Sequence, residues 1–109
     1  MAGVEADSVE VVESGGQGGE HGSYVVTVRT PAGFSAEFRV TDAVRVEVLT
    51  QRAVAQFTAY GQLGDGNYRL VLVRDGSSTD LVASARLGES GVVAGDVLSL
   101  VVMDPQVDG

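Results

Sequence analysis

The sequence has no cysteine, so disulfides and thiolate metal sites are excluded and nothing points to an oxidising compartment. It holds one histidine, His21, in a glycine-rich stretch, so no second imidazole is available for a metal and no Ser-His pair for nucleophilic chemistry. Lysine is absent as well: the seven basic residues are Arg29, Arg39, Arg45, Arg52, Arg69, Arg74 and Arg86. A GC-rich genome that writes Arg for Lys accounts for this, and so does a life beside enzymes that acylate lysine amines. No long apolar run exists: Val97 to Met103 includes Ser99 and is far too short to span a bilayer. The start, Met1-Ala2-Gly3-Val4-Glu5, is neither basic nor apolar, so no secretory signal is expected and a cytoplasmic location is. A formal net charge of -8 argues against nucleic acid, whose phosphates require clustered Lys and Arg, and against anionic membrane surfaces.

The chain's 109 residues suit one small domain. Residues 1–22 hold six glycines and five acidic residues with no arginine, too little apolar surface to offset ordering, so a disordered acidic tail is expected. Within it Val9, Val11 and Val12 flanked by Glu10 and Glu13 form a pattern that could add as a strand to a partner's sheet edge. From Ser23 the texture changes. Tyr24, Val26 and Val28 alternate with Val25, Thr27 and Arg29, and Ala36, Phe38 and Val40 with Ser35, Glu37 and Arg39; Pro31-Ala32-Gly33 turns between them, which predicts a hairpin.

Thr41 to Tyr60 then carries a helical period. Val46, Leu49, Ala53, Phe57 and Tyr60 recur at three- and four-residue steps, Thr41 and Asp42 are candidate caps, and Gly61 is a candidate stop. The alternation of Val44, Val46 and Val48 with Arg45 and Glu47 would alone suit a strand, but Ala53 to Tyr60 has no such alternation. Tyr68, Leu70 and Leu72 alternate with Arg69, Val71 and Val73 in a third strand that stops at Asp75-Gly76. Ser77 to Gly95 is less regular, with Leu81, Val82, Leu87 and Val92 as its expected core contributors. Val97 to Val102 is the last strand, and Pro105 keeps the tail from continuing as an internal strand. Laying the helix stripe on the inward residues of the strands, with the first and last strands parallel at the sheet centre, gives an α+β architecture. It is a β-grasp: a mixed four- or five-stranded sheet packed on one helix, a domain over 23–103 and a flexible tail over 104–109.

No catalytic constellation is legible. Gly61, Gly64 and Gly66 follow a helix, whereas phosphate cradles precede one. Asp65 and Asn67 supply only part of a calcium loop, and Glu37, Asp42, Glu47, Asp75, Asp80 and Glu89 read as ordinary exposed carboxylates. No enzyme activity, metal or cofactor is expected.

Val28 through Phe57 resembles the first turn, second strand and helix of the ubiquitin-like family without a gap, with Pro31-Ala32-Gly33 on the hairpin turn and Val46, Leu49 and Ala53 on buried helix positions. Asp96-Val97-Leu98-Ser99-Leu100-Val101 resembles its last strand. The resemblance implies two sites. One is an apolar recognition patch on the open sheet face, which falls on Pro31, Val71, Val73 and Val101. The other is a conjugation terminus, which falls on Gly109 preceded by Asp108 where family modifiers carry a second glycine. The function so implied is that of a bacterial ubiquitin-like modifier. Its Gly109 carboxylate would be adenylated by an E1-like adenylating enzyme and passed through an E2-like conjugating enzyme to protein targets, and the chain itself is expected to be a monomer. Gly95-Asp96-Val97-Leu98 also resembles the small ubiquitin-like proteins of type VII secretion loci, which implies instead a non-conjugated adaptor acting through its sheet face. A sulfur carrier with a Gly109 thiocarboxylate is the third reading.

Overall fold

The computed structural model describes residues 9–10, 23–64 and 66–103. Its elements are β1 (Val9–Glu10), β2 (Tyr24–Arg29), β3 (Ser35–Val40), α1 (Val46–Ala59), β4 (Tyr68–Arg74), β5 (Ser77–Asp80) and β6 (Val97–Val102), with a 3-10 turn at Gly88–Ser90 before β6. They form a mixed sheet of order β1-β3-β2-β6-β4-β5, in which the two-residue β1 is an addition to a five-stranded β-grasp.

The Pro31–Gly33 turn makes β2 and β3 an antiparallel hairpin, and Thr30 closes it through its Oγ1, which accepts the Phe34 N–H at 3.1 Å. The centre of the sheet is the parallel pair β2 and β6, with Thr27 opposite Val97 and Val28 opposite Leu98. Parallel neighbours need a long connection, and α1 lies within the one that separates them. β4 pairs antiparallel to β6 on its other side, and β5 closes that edge.

Strand residues alternate between two faces, so a strand with one buried face shows alternating burial. Val26 and Val28 of β2, Phe38 and Val40 of β3, Leu70 and Leu72 of β4, and Leu98 and Leu100 of β6 all turn towards α1 and are buried. The helix answers with Val46, Leu49, Ala53 and Phe57, the spacing that predicts its stripe. The Phe38 and Phe57 rings meet with centroids 6.4 Å apart and planes tilted by 60°, in the range favoured for aromatic pairs. Leu87 and Val92 from the long connection complete this layer, whereas Val82 and Tyr60, expected in it, are exposed. Tyr60 falls outside because α1 ends at Ala59, where the backbone turns away from the stripe.

The end of α1 follows its sequence. Gly61 adopts φ 69°, its N–H bonds the Thr58 carbonyl, and the Gln62 N–H returns to Phe57, the reciprocal pair of bonds that closes helices with a left-handed residue. The start departs from it: Thr41 and Asp42 do not cap α1. Arg45 holds the N-cap position without a side-chain bond, and the Val46 and Glu47 N–H groups donate to the Ala85 and Ala83 carbonyls, each at 2.9 Å. The connection after β5 therefore seals the helix by main chain, and Leu87 N–H to Val44 carbonyl (2.8 Å) and Gly88 N–H to Asp42 carbonyl (3.1 Å) continue the seam. Gly88 is needed there for space, since a Cβ would lie 2.8 Å from that of Asp42.

Candidate functional site: the open face of the sheet

The sheet face opposite α1 is built from the strand residues that alternate with the core. Register places Arg29 of β2 beside Ser99 of β6, Ser99 beside Val71 of β4, and Val71 beside Asp80 of β5. The neighbouring row runs from Glu37 through Thr27, Val97 and Val73 to Ser78. Val101 stands opposite Arg69, and Pro31, two residues beyond Arg29, lies exposed towards the same end. Among the described residues no helix packs on this face.

Of the residues that the sequence points to, Val71, Val73 and Val101 thus share one face on adjacent strands. Their accessibility differs. Val71 keeps only 6% of its surface, whereas Val73 and Val101 are half-buried, as is Val97, which joins them through the register. The Arg69 Nε reaches Asp80 Oδ1 at 3.4 Å, diagonally across the β4–β5 pair, and this ion pair stands beside Val71. The face is therefore a shallow valine strip rimmed by arginines, Arg69 at one side and Arg29 at the other. Gly109 and Asp108 lie outside the described residues, as do His21 and Asp65.

A second polar cluster, not foreseen from the sequence, sits at the end of β4. The Asp96 carboxylate accepts from Arg74 through Nε at 3.3 Å and through Nη2, and from the Val93 N–H at 2.8 Å; Arg74 also donates to the Gly91 carbonyl. Paired with a carboxylate, the guanidinium holds its proton above its ordinary value. The cluster ties the connection before β6 to β4. Nearby, Tyr24 donates its hydroxyl to Asp42 Oδ1 at 2.7 Å; burial, then this bond and the negative charges of Asp42 and Asp96, push the phenol's pKa upwards. A shallow groove of about 490 Å³ separates the outer side of α1 from the loop into β4, lined by Thr50, Gln51, Val54, Ala55, Thr58, Gly64, Gly66, Asn67 and Tyr68. Among the described residues that line it there is no carboxylate, imidazole, guanidinium or thiol. Among the described residues no group of three metal-ligating side chains occurs, and no helix is long and apolar enough to cross a membrane.

The geometry is that of a ubiquitin-like β-grasp, and solved structures agree. The ubiquitin-like domain of EccD5 from Mycobacterium xenopi superposes with a TM-score of 0.56 at 19% identity, covering 78% of this chain and 99% of that one. A designed protein based on ubiquitin superposes at 0.58 with 19% identity, covering 81% and 98%. A chain of the ESX-5 inner membrane complex matches at 0.56 with 21% identity over 80% of this chain, which spans 23% of it. No protein-family model and no curated protein matches the sequence. Likeness at this identity defines the fold.

Proposed function

We propose that the chain is a ubiquitin-like recognition module without catalytic activity of its own, and that it engages a partner protein through the open face around Val73, Val97 and Val101. The observation that carries this reading is the valine strip itself: three half-buried β-branched residues on adjacent strands, rimmed by Arg29 and Arg69, with no described helix over them. A contiguous apolar strip with a charged rim is the make-up of a protein-binding patch. Likeness to EccD5 and to a chain of the ESX-5 complex supports the adaptor form of this role, associated with type VII secretion.

The modifier form is the second reading, favoured by a chain that offers no lysine to a conjugating enzyme. In the modifier, Gly109 is adenylated by an E1-like enzyme, passed to an E2-like enzyme and joined to a target amine. One co-expression series with the products of neighbouring genes separates the two. For the adaptor, the paired variant Val73→Asp, Val101→Asp loses the co-purifying partner and deletion of Gly109 does not. A Gly109-dependent, ATP-dependent covalent adduct overturns the adaptor in favour of the modifier, and a partner retained by the paired Asp variant removes the face from both.

A further inference from the structure

The corner where α1 meets the long connection before β6 brings two arginines together, away from the open face. Arg45, the residue before α1, and Arg86 of the connection stand directly opposite one another in an antiparallel bridge. The main-chain bonds flanking them run from Leu87 N–H to the Val44 carbonyl (2.8 Å) and from Val46 N–H to the Ala85 carbonyl (2.9 Å). That is the closer kind of antiparallel pair, with side chains leaving one side of the ladder about 4.5–5.5 Å apart at Cβ.

Like charges directly opposite one another repel. Arg45 is also the N-cap of α1, and a cation there opposes the positive end of the helix dipole. Two carboxylates belong to this corner. Glu47 Oε2 lies 3.8 Å from Arg45 Nη1 in a solvent-exposed pair, a weak class of contact. Glu89 is turned onto main chain, its Oε1 accepting the Arg86 N–H at 3.1 Å. The Arg86 guanidinium is exposed and pairs with no carboxylate among the described residues. Its surroundings are open, since Ala43, Ser84 and Gly88 are small and exposed.

The donors select the ligand. The Val46 and Glu47 N–H groups are committed to the Ala85 and Ala83 carbonyls, so the guanidinium groups supply the contacts. Each guanidinium is a planar fork that grips two oxygens. A carboxylate is filled by one fork, whereas a phosphoryl group offers three oxygens and a charge near -2, enough for both. A net charge of -8 repels an extended polyanion across its whole footprint, and a single dianion far less.

The geometry points to a phosphate-binding site between Arg45 and Arg86, which takes one phosphoryl dianion, free or as a monoester. Bound there, the dianion separates two like charges and bridges them.

The test uses the full-length protein in chloride buffer, with inorganic phosphate added at constant ionic strength. Arginine side-chain N–H NMR signals of Arg45 and Arg86 are expected to shift most, and the Tm to rise. Arg86→Gln is expected to weaken phosphate binding about tenfold or more, the loss of a charged hydrogen bond. Its Tm in chloride alone is expected to equal or exceed the wild-type value, because one repelling charge is gone. Arg86→Lys keeps the charge without the fork and is expected to weaken binding less, while Arg29→Gln on the open face leaves it unchanged. N-acetylphosphoserine amide is the second probe: tighter binding than inorganic phosphate assigns the monoester, equal or weaker binding the free ion. Shifts at Arg29, Arg39 or Arg69 as large as those at Arg45 and Arg86, unchanged affinity in Arg86→Gln, or no response beyond that to chloride would overturn the proposal.

Discussion

Tyr24 shows what one residue contributes to this fold. It sits at the start of β2, packs against the core and donates its hydroxyl to Asp42, so the chain entering β2 is fixed to the chain leaving β3. Burial first, and the carboxylates of Asp42 and Asp96 after it, keep the phenol protonated beyond its ordinary range. A folded-state pKa raised above the unfolded value of about 10 gives stability that is full below that pH and is lost as pH rises through and above it. The Tm of the wild type is therefore expected to fall above about pH 10. Tyr24→Phe loses one hydrogen bond at neutral pH, roughly 0.5–1.5 kcal/mol, and flattens the alkaline slope. An unchanged slope in Tyr24→Phe would show that another group is responsible.

At the level of elements, legibility in the sequence tracked how much apolar surface each segment buries. β2, β3, β4 and β6 alternate cleanly because each has one face on α1 and one away from it, and α1 shows its stripe for the same reason. β5 left no such mark: Ser77, Ser78, Thr79 and Asp80 are all exposed, and the strand exists through its ladder to β4. The signal that would have found it is Asp75-Gly76, which stops β4. Both residues have positive φ, 53° and 81°, as a two-residue turn matched to the twist of a hairpin requires. Gly76→Ala should accordingly cost roughly 1–2 kcal/mol, read as a lower urea midpoint with an unchanged slope; no loss would mean that the turn adopts another geometry. Thr41 and Asp42 misled as caps because a main-chain seam from Ala83 to Gly88, drawn from far along the chain, had already taken the helix's free N–H groups. The open face was half legible. Alternation places Val71, Val73 and Val101 together, but the diagonal reach of Arg69 to Asp80 beside Val71 depends on a strand with no apolar pattern.

For the molecule as a whole, the sheet is deepest at β2 and β6 and shallowest at β5 and β1. Amide hydrogen exchange is expected to follow that order, slowest at Val28, Leu98 and Leu100 and fastest among the strands at Ser77–Asp80, because an edge strand with every side chain exposed opens without breaking the core. Equal protection of β5 and β6 would mean that the sheet opens only as one unit. Charge is distributed on the same scale: four of the seven arginines, Arg29, Arg39, Arg69 and Arg74, lie on strands of the near-balanced domain, while residues 1–22 hold five acids and no arginine.

The central position of β6 bears on how the protein emerges from the ribosome. Until residues 97–102 are made, the β2–β3 and β4–β5 pairs have no strand between them to join their ladders. The sheet closes when its middle is delivered, so maturation awaits nearly the full length of the domain. A product stopped short of Val97 would leave open the edges of β2 and β4 that β6 otherwise pairs.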